Sequence, residues 1–393
     1  MTARNKSLPA WTYSNPEFFE LERRELFLKS WQLVAHLADL PERGDYFTLD
    51  ILGESLVVIR GRDREVRGFH NVCRHRGTRL LDGPQGNCAE RIICPYHAWS
   101  YGLDGRLAAV PFEKEFKGLK RDENGLKPLD LEIFQGFVFV RVTADNGPSV
   151  ADQFSAVIDQ LQAYRFEDLR PLGRVTLRRR AVNWKQIADN YVDALHIPVA
   201  HPGLASLVGN SYRPEVAGDI HKMSADLRPS RKAGWSVRAY ADILPPLDHL
   251  PGPAGRRWLY YRMWPNLAFD IYPDQIDFMQ FIPVSPRETL IREIAYALPD
   301  ERREMRLARY LNWRINRVVN AEDTVLVTRV QAGMASASYA SGPFAESEVC
   351  LIDSVRRLRK LLPVAELEDE PEIGTVAVLN RRPSENPRHL QTV

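Results

Sequence analysis

Polar and apolar positions follow two different periods along this chain, and the change between them divides it. Near the N-terminus, Ser14-Asn15-Pro16 is a good helix start. Residues 17–29 then place Phe18, Phe19, Leu21, Leu26, Phe27 and Leu28 among charges at helical spacing. Short β-like runs follow at residues 31–35, 45–50, 55–60, 66–72 and 137–142, separated by turn residues such as Asp63-Arg64 and Asp104-Gly105. Thr143-Ala-Asp-Asn-Gly-Pro148 ends that texture. Beyond it, residues 174–182 read as a strand and 183–195 as a helix. Residues 258–264, 268–272, 276–284 and 289–297 read as consecutive antiparallel strands. A long helix over about 300–334 and a last one over 346–362 complete the pattern. Strands followed by long helices predict an α+β fold, a bent antiparallel sheet crossed by a C-terminal helix.

The predicted division is an N-terminal helical segment over 1–37, a β-rich domain over 38–148, a larger α+β domain over 149–365 and a tail over 366–393. The tail, acidic and then rich in Arg and Pro, reads as poorly ordered. A chain of 393 residues has room for two or three cores. Its 44% apolar and 26% charged residues are ordinary for a soluble protein, and a net charge of +2 gives no reason to expect a nucleic-acid partner. No apolar run approaches a membrane span, and Met1-Thr-Ala-Arg-Asn-Lys lacks the apolar stretch of a secretory signal. Four cysteines form no disulfide framework. The expected location is therefore the reducing cytoplasm, with no membrane association. Cys350, in an apolar helical stretch, is expected to be a buried small hydrophobe, and Cys88 to be structural.

Two clusters carry the clearest chemistry, Cys73-Arg74-His75 and Cys94-Pro95-Tyr96-His97. Thiolates are soft donors, whereas neutral imidazoles are weaker. A [2Fe–2S] cluster with Cys₂ on one iron and His₂ on the other has a raised potential and suits an electron relay. A structural Cys₂His₂ zinc site is the alternative, although zinc fingers usually group like ligands and here Cys and His alternate. Further along, His196 and His201 flank Pro198. On an ideal helix they would point about 140° apart, but Pro198 disfavours an unbroken helix, so both can turn to one point. Two imidazoles and a carboxylate would make a facial iron site with open positions. Without that context, two histidines at this spacing are usually unrelated to any metal.

These residues resemble the Rieske ferredoxin domain. Gly77 after the first cluster, the run Cys-Pro-Tyr-His-x-Trp-x-Tyr ending at Tyr101, and Asp104-Gly105 carry the likeness. Residues 190–201 resemble the Asn-x-x-Asp-x-x-His-x4-His motif of Rieske non-haem iron oxygenases, terminal oxygenase (alpha) subunits. That resemblance runs from about residue 15 to 362. It implies a helix-grip catalytic domain, a [2Fe–2S] cluster on Cys73, His75, Cys94 and His97, and a mononuclear Fe(II) on His196 and His201. It takes the third ligand from Asn320-Ala-Glu-Asp323, as Asp323 with Glu322 as runner-up. Asp193 becomes the carboxylate between His196 and a neighbouring subunit's His97, the bridge for inter-subunit electron transfer. Gln331, Gly333 and Gly342-Pro343 match the family's continuation, whereas Asp189 and Leu195 depart from its pattern.

The same resemblance implies O₂ as co-substrate and electrons from NAD(P)H through a reductase or ferredoxin. It also implies a head-to-tail homotrimer (α₃). For the substrate, Trp258, Tyr260, Arg262 and Trp264 alternate onto one strand face, followed by Phe269, Tyr272, Phe278 and Phe281. They form either an aromatic sheet core or a cavity that holds a quaternary ammonium by cation–π attraction. The stretch from Val330 to Pro343 resembles betaine and carnitine oxygenases. The function expected is oxidative N-demethylation of a small betaine of the proline-betaine kind, with release of formaldehyde. The alternative is hydroxylation of an aromatic ring or acid, with an Arg holding the carboxylate. An alternative of another class is a non-catalytic iron–sulfur electron carrier.

Overall fold

The computed structural model of the chain describes residues 6–250 and 252–381. The leader expectation at residues 1–5 and the end of the expected tail, 382–393, lie outside them. Two compact units emerge. Among the described residues, one comprises 28–152 and 165–171, and the other 6–27, 153–164, 172–250 and 252–381.

The first unit is built from short antiparallel strands. β1 (Gln32–His36), β2 (Asp45–Ile51), β3 (Glu54–Arg60), β4 (Val66–His70) and β5 (Gln85–Asn87) come first. β6 (Arg91–Ile93), β7 (Ser100–Gly102), β8 (Leu107–Ala109), β9 (Asp130–Phe134), β10 (Phe137–Arg141) and β11 (Arg170–Pro171) follow. They include sheets of order β4-β3-β2-β5, β6-β7-β8 and β1-β10-β9. Leu52 and Gly53, at φ +50° and +86°, turn β2 into β3, the left-handed pair that matches strand twist. Gly105 is required by space as well as by its φ of +82°, because a Cβ there would meet the Phe69 ring at 2.4 Å. A shared core of Val57, Ile59, Phe69, Ile92, Trp99, Tyr101 and Leu107 lies behind both cysteine loops.

This corrects the expected boundaries. Residues 28–37 belong here rather than with the other unit, because buried β1 pairs with β10. Residues 165–171 return here too, anchored by Phe166, whose carbonyl lies 3.0 Å from the His36 ring nitrogen.

The second unit opens with α1 (Pro16–Leu21), capped by Asn15, which accepts from the Phe18 amide at 2.8 Å. The expected helix to residue 29 does not run through as one regular element. It changes to a π-turn over Glu22–Leu26 and a 3₁₀ turn over Phe27–Lys29. That change coincides with a buried pair, Glu22 and Lys185, whose charged atoms are 2.6 Å apart. Removing one partner from such a pair typically costs about 3–5 kcal/mol, because the other is left charged and dry. Lys185 lies in α4 (Trp184–Val192), so the pair ties the N-terminal segment to the helix that leads into the histidines. Before it come α2 (Val150–Phe154), of which residues 150–152 belong to the first unit, and α3 (Ile158–Gln162).

The sheet of this unit runs β18 (Glu288–Ala297), β17 (Ile276–Ser285), β16 (Leu267–Ile271), β15 (Arg257–Met263), β14 (Ile220–Asp226), β13 (Arg213–Ala217), with β12 (Thr176–Arg180) also on β18. α5 (Ile197–Ala200), α6 (Pro202–Val208) and α7 (Trp235–Ile243) precede the long α8 (Arg303–Gly333), and α9 (Val349–Leu361) follows. α4 packs against β17, α8 and α9. Leu207, Val208, Met223, Tyr240, Trp258, Ala308 and Leu311 join α6, α7 and α8 to the sheet in one core, with buried Cys350 among them. The expected disordered tail is corrected in part, since α10 (Val376–Arg381) follows and buries Val376.

Candidate active site

The two cysteine loops share one backbone plan. The Cys73 amide donates to the Thr78 carbonyl at 2.8 Å, and the Gly77 amide donates back to the Cys73 carbonyl at 3.1 Å. In the second loop, the Cys94 amide donates to Trp99 at 2.8 Å and Ala98 donates back to Cys94 at 3.1 Å. Each fold-back needs a left-handed residue at the same position, Gly77 at φ +73° and Ala98 at φ +54°. Sequence reasoning found the glycine and missed its alanine counterpart, because only the backbone reveals the equivalence.

The loops bring Cys73 and Cys94 side by side and buried, with His75 and His97 half-buried and their ring centroids 4.6 Å apart. His75 stacks on Trp99 at 4.9 Å and 7°. The Tyr101 hydroxyl lies 3.3 Å from Cys73 Sγ and accepts from the Arg74 amide at 2.9 Å. His75 Nδ1 is buried with no hydrogen-bond partner. Paired thiols and an orphaned imidazole nitrogen fit a Cys₂His₂ iron–sulfur cluster.

In the other unit, α4 stops at Val192 and Asp193 caps it in an extended conformation, φ −76° and ψ 128°. The expected helix over 183–195 therefore ends early, and Asp193 and His196 do not share a helix face. An Asp-centred turn joins them instead. Asp193 Oδ1 accepts from the Leu195 amide at 2.8 Å, and Oδ2 lies 2.9 Å from His196 Nδ1. Pro198 then starts α5 within its first turn, which lets His201 swing back.

The result is a convergence of three donors. His196 Nε2 and His201 Nε2 are 3.1 Å apart. Asp323 Oδ1, from α8, lies 2.9 Å from His201 Nε2 and 3.6 Å from His196 Nε2. It is buried and aligned with neither for a hydrogen bond. One atom from each of these residues falls within 4.8 Å of the others, as a shared metal ion requires. Burial raises the Asp323 pKa, but the two imidazoles more than offset this and hold it near 2, so the carboxylate is anionic. Glu322 reaches the far side of the ring, its Oε2 2.8 Å from His201 Nδ1. The donors fit a two-histidine, one-carboxylate iron site, with Asp193 and Glu322 fixing the rings from outside.

These donors line a cavity of about 110 Å³. Tyr191, Tyr212, Tyr260 and Tyr272 also line it, with Asp270, Phe281 and Arg180. Tyr212 and Tyr260 have centroids 5.8 Å apart at 42°, and Tyr260 and Tyr272 are 6.0 Å apart at 87°. Tyr191 donates to Asp270 Oδ1 at 2.6 Å, and Tyr272 also hydrogen-bonds this carboxyl. Burial pushes the Asp270 pKa up to about 7 against those hydrogen bonds. A larger recess of about 870 Å³ adjoins at Asp270, Met279, Asn316 and Asn320 and reaches the exposed Tyr310 and Trp313.

Of Trp258, Tyr260, Arg262 and Trp264, which were expected on one strand face of the pocket, Tyr260 lines this cavity and the other three do not. Trp258 is wholly buried and donates to the Tyr240 hydroxyl at 2.9 Å. Arg262 is a structural clamp. It donates to the Ala188 carbonyl at 2.9 Å, to His221 Nδ1 at 2.7 Å and to Ser354. Burial and the Arg262 charge lower the His221 pKa to about 4, so its Nε2–H donates to Asp353 at 2.8 Å. Trp264 lines a separate recess with Trp184 and Asp189. Phe269 and Phe278 are buried away from the cavity, whereas Tyr272 and Phe281 face it. Tyr191, Tyr212, Asp270 and Arg180 were missed. A strand-face pattern could have flagged Asp270, which lies opposite Tyr260 on the neighbouring strand.

Residues 166–363 match the ring hydroxylating alpha subunit (catalytic domain) family, and residues 30–127 match the Rieske [2Fe-2S] domain. The chain is 33% identical over 343 residues to the carnitine monooxygenase oxygenase subunit of Escherichia coli (strain K12), covering 85% of each. It is 27% identical over 373 residues to the glycine betaine monooxygenase oxygenase subunit of Pseudomonas aeruginosa, covering 87% of this chain and 85% of the relative. Among solved structures, a quaternary ammonium Rieske monooxygenase in complex with L-carnitine aligns with a TM-score of 0.76 at 27% identity. The alignment covers 92% of this chain and 97% of that one.

Proposed function

Because this chain belongs to the ring-hydroxylating alpha-subunit family and carries its Rieske domain, we propose that it hydroxylates an N-methyl group of a small betaine. As a member it is a Rieske non-haem iron oxygenase, with a [2Fe–2S] cluster and a mononuclear iron, using O₂ and electrons from a reductase. In this reading Cys73, His75, Cys94 and His97 hold the cluster, and His196, His201 and Asp323 hold the iron. The iron, when bound, supplies O₂ activation beside the substrate.

The observation that carries the substrate reading is the cavity wall. Tyr191, Tyr212 and Tyr272 lie around Tyr260 with interplanar angles of 77°, 42° and 87°, and with Asp270 they line the same cavity as His196, His201 and Asp323. Aromatic faces attract a quaternary ammonium, and a carboxylate beside them adds charge complementarity. The small volume suits a compact betaine such as proline betaine. The relatives named for carnitine and glycine betaine support the class. Hydroxylation of one N-methyl carbon on the quaternary nitrogen yields a carbinolamine, which loses formaldehyde and a proton and leaves the tertiary amine.

Asp193 belongs to the electron path in this proposal. Its carboxylate holds His196 and keeps 22% side-chain exposure, which leaves a face for a neighbouring subunit's His97. A head-to-tail homotrimer would supply that neighbour. The test is a panel of carnitine, glycine betaine, proline betaine and aromatic acids, assayed with a reductase for formaldehyde and for hydroxylated ring products. Formaldehyde from at least one betaine is expected. Ring products from an aromatic acid with no formaldehyde from any betaine would overturn the reading in favour of ring hydroxylation.

A further inference from the structure

β12 presents three consecutive arginines to different partners. Arg178 forms an ion pair with Glu293, and Arg179 with Glu288. Arg180 has no carboxylate within ion-pair distance among the described residues. Its guanidinium donates to the Arg179 carbonyl at 3.0 Å, and it lines the catalytic cavity half-buried. The β12 register explains the difference. Arg178 and Arg180 share one sheet face, Arg180 at the catalytic cavity and Arg178 at the adjoining larger recess. Arg178 sits opposite Ile291 and pairs with Glu293, while Arg180 sits opposite buried Thr289, where the charge of Glu293 is felt but no carboxylate comes within ion-pair distance among the described residues.

An unpaired guanidinium is costly in a cavity whose other features attract cations. It repels a plain cation and leaves its own N–H donors without an anionic acceptor. The conflict disappears if the ligand brings its own anion. We propose that Arg180 is the specificity residue that binds the carboxylate of a zwitterionic betaine, while Asp270 and the tyrosines hold its ammonium end. This rests on the betaine reading and narrows it, since the cavity then selects against quaternary ammonium compounds that lack a carboxylate. Arg180 is placed for the task because a guanidinium can grip both carboxylate oxygens, which a single ammonium cannot match. Binding that end also fixes which N-methyl group points toward His196 and His201.

The experiment compares glycine betaine and proline betaine with the methyl ester of each, on the reconstituted holoenzyme. Equilibrium binding and steady-state formaldehyde release are both read. In the wild type, each betaine should bind better than its ester. Arg180→Gln should lower the betaine-to-ester ratio of kcat/KM by about 10- to 100-fold, mainly through the betaine KM. Arg180→Lys should restore part of that ratio. Titration calorimetry should show the same loss in betaine affinity. The ester ratio separates this effect from a general folding defect, which would weaken acid and ester alike. The proposal is overturned if the wild type does not distinguish acid from ester, or if Arg180→Gln leaves their ratio unchanged. A wild-type enzyme that releases formaldehyde from none of these compounds would instead defeat the betaine reading beneath it.

Discussion

Glu322 and Asp323 are neighbours on α8, yet they address opposite nitrogens of one ring. Glu322 meets His201 Nδ1 at 2.8 Å, and Asp323 meets Nε2 at 2.9 Å. Among these contacts the Nε2 side also faces His196, so the proposal gives the metal to Asp323 and leaves Glu322 outside it. The sequence left a choice between these acids, and the ring geometry favours Asp323 as the proposed ligand. Glu322→Ala should therefore leave an iron site that binds about 10- to 100-fold more weakly, the usual cost of losing an outer partner. Chelator competition followed by iron analysis reads this directly. If Glu322→Ala emptied the site as completely as Asp323→Ala, Glu322 would have to be counted a ligand.

Asp193 plays the corresponding part for His196. Asp193→Asn should retain both metals, since the carboxylate faces Nδ1 rather than the Nε2 cluster of donors. An amide offers one acceptor oxygen where the carboxylate offers two. Turnover should fall to a small fraction of wild type while chemical reduction of the cluster stays normal, and cluster reoxidation by substrate and O₂ should slow. Stopped-flow absorbance separates the two steps. Wild-type reoxidation in this variant would remove Asp193 from the electron path.

How much of this was legible beforehand depended on the length scale of each signal. The cysteine loops were readable because soft and borderline donors, a glycine and a tyrosine fall within a few residues of each other. The break at Pro198 was readable from backbone sterics. The end of α4 was not, because Asp193 leaves the helix to satisfy its side chain locally, a competition that apolar spacing does not reveal. Arg262 was misplaced for a different reason. Its strand face was inferred correctly, but the same face carries both the catalytic cavity and the buried network of His221, Asp353 and Ser354. Distance along the sheet, which decides between them, is a tertiary quantity. β13 and β14 went unseen because Pro214, His221 and Lys222 obscure the alternation, although Ile220, Met223 and Ala225 are buried.

Tyr101 should tune the cluster. Its hydroxyl lies 3.3 Å from Cys73 Sγ and can donate to that sulfur, which favours the more negative, reduced state. Tyr101→Phe keeps the packed ring and removes the donor. The midpoint potential should fall by on the order of tens of millivolts, consistent with losing about one hydrogen bond. Redox titration followed by electron paramagnetic resonance measures it. An unchanged or raised potential would assign the hydroxyl to the Arg74 amide alone.

Asp270 makes betaine binding pH-dependent. Burial raises its pKa to about 7, so near neutrality it is partly protonated. Tyr191 and Tyr272 donate to it, Tyr260 and Asp277 sit opposite it on the flanking strands, and Glu293 on β18 adds like charge. A quaternary ammonium favours the carboxylate form. Affinity should therefore rise as pH increases through about 7, with proton release on binding, and weaken as pH falls below that value. Asp270→Asn should flatten the profile and weaken binding. Calorimetry in buffers of different ionisation enthalpy counts the protons. Affinity that rises on acidification would contradict the assignment of Asp270 to the ammonium end.

The most direct test of the account is the metal content of His201→Ala beside the wild type. Wild type should carry about three irons and two acid-labile sulfides per chain, from one [2Fe–2S] cluster and one mononuclear site. His201→Ala should keep about two irons, both sulfides and an unaltered Rieske resonance signal, and should release no formaldehyde from any betaine. A His201→Ala protein that kept the third iron would contradict the site at its centre.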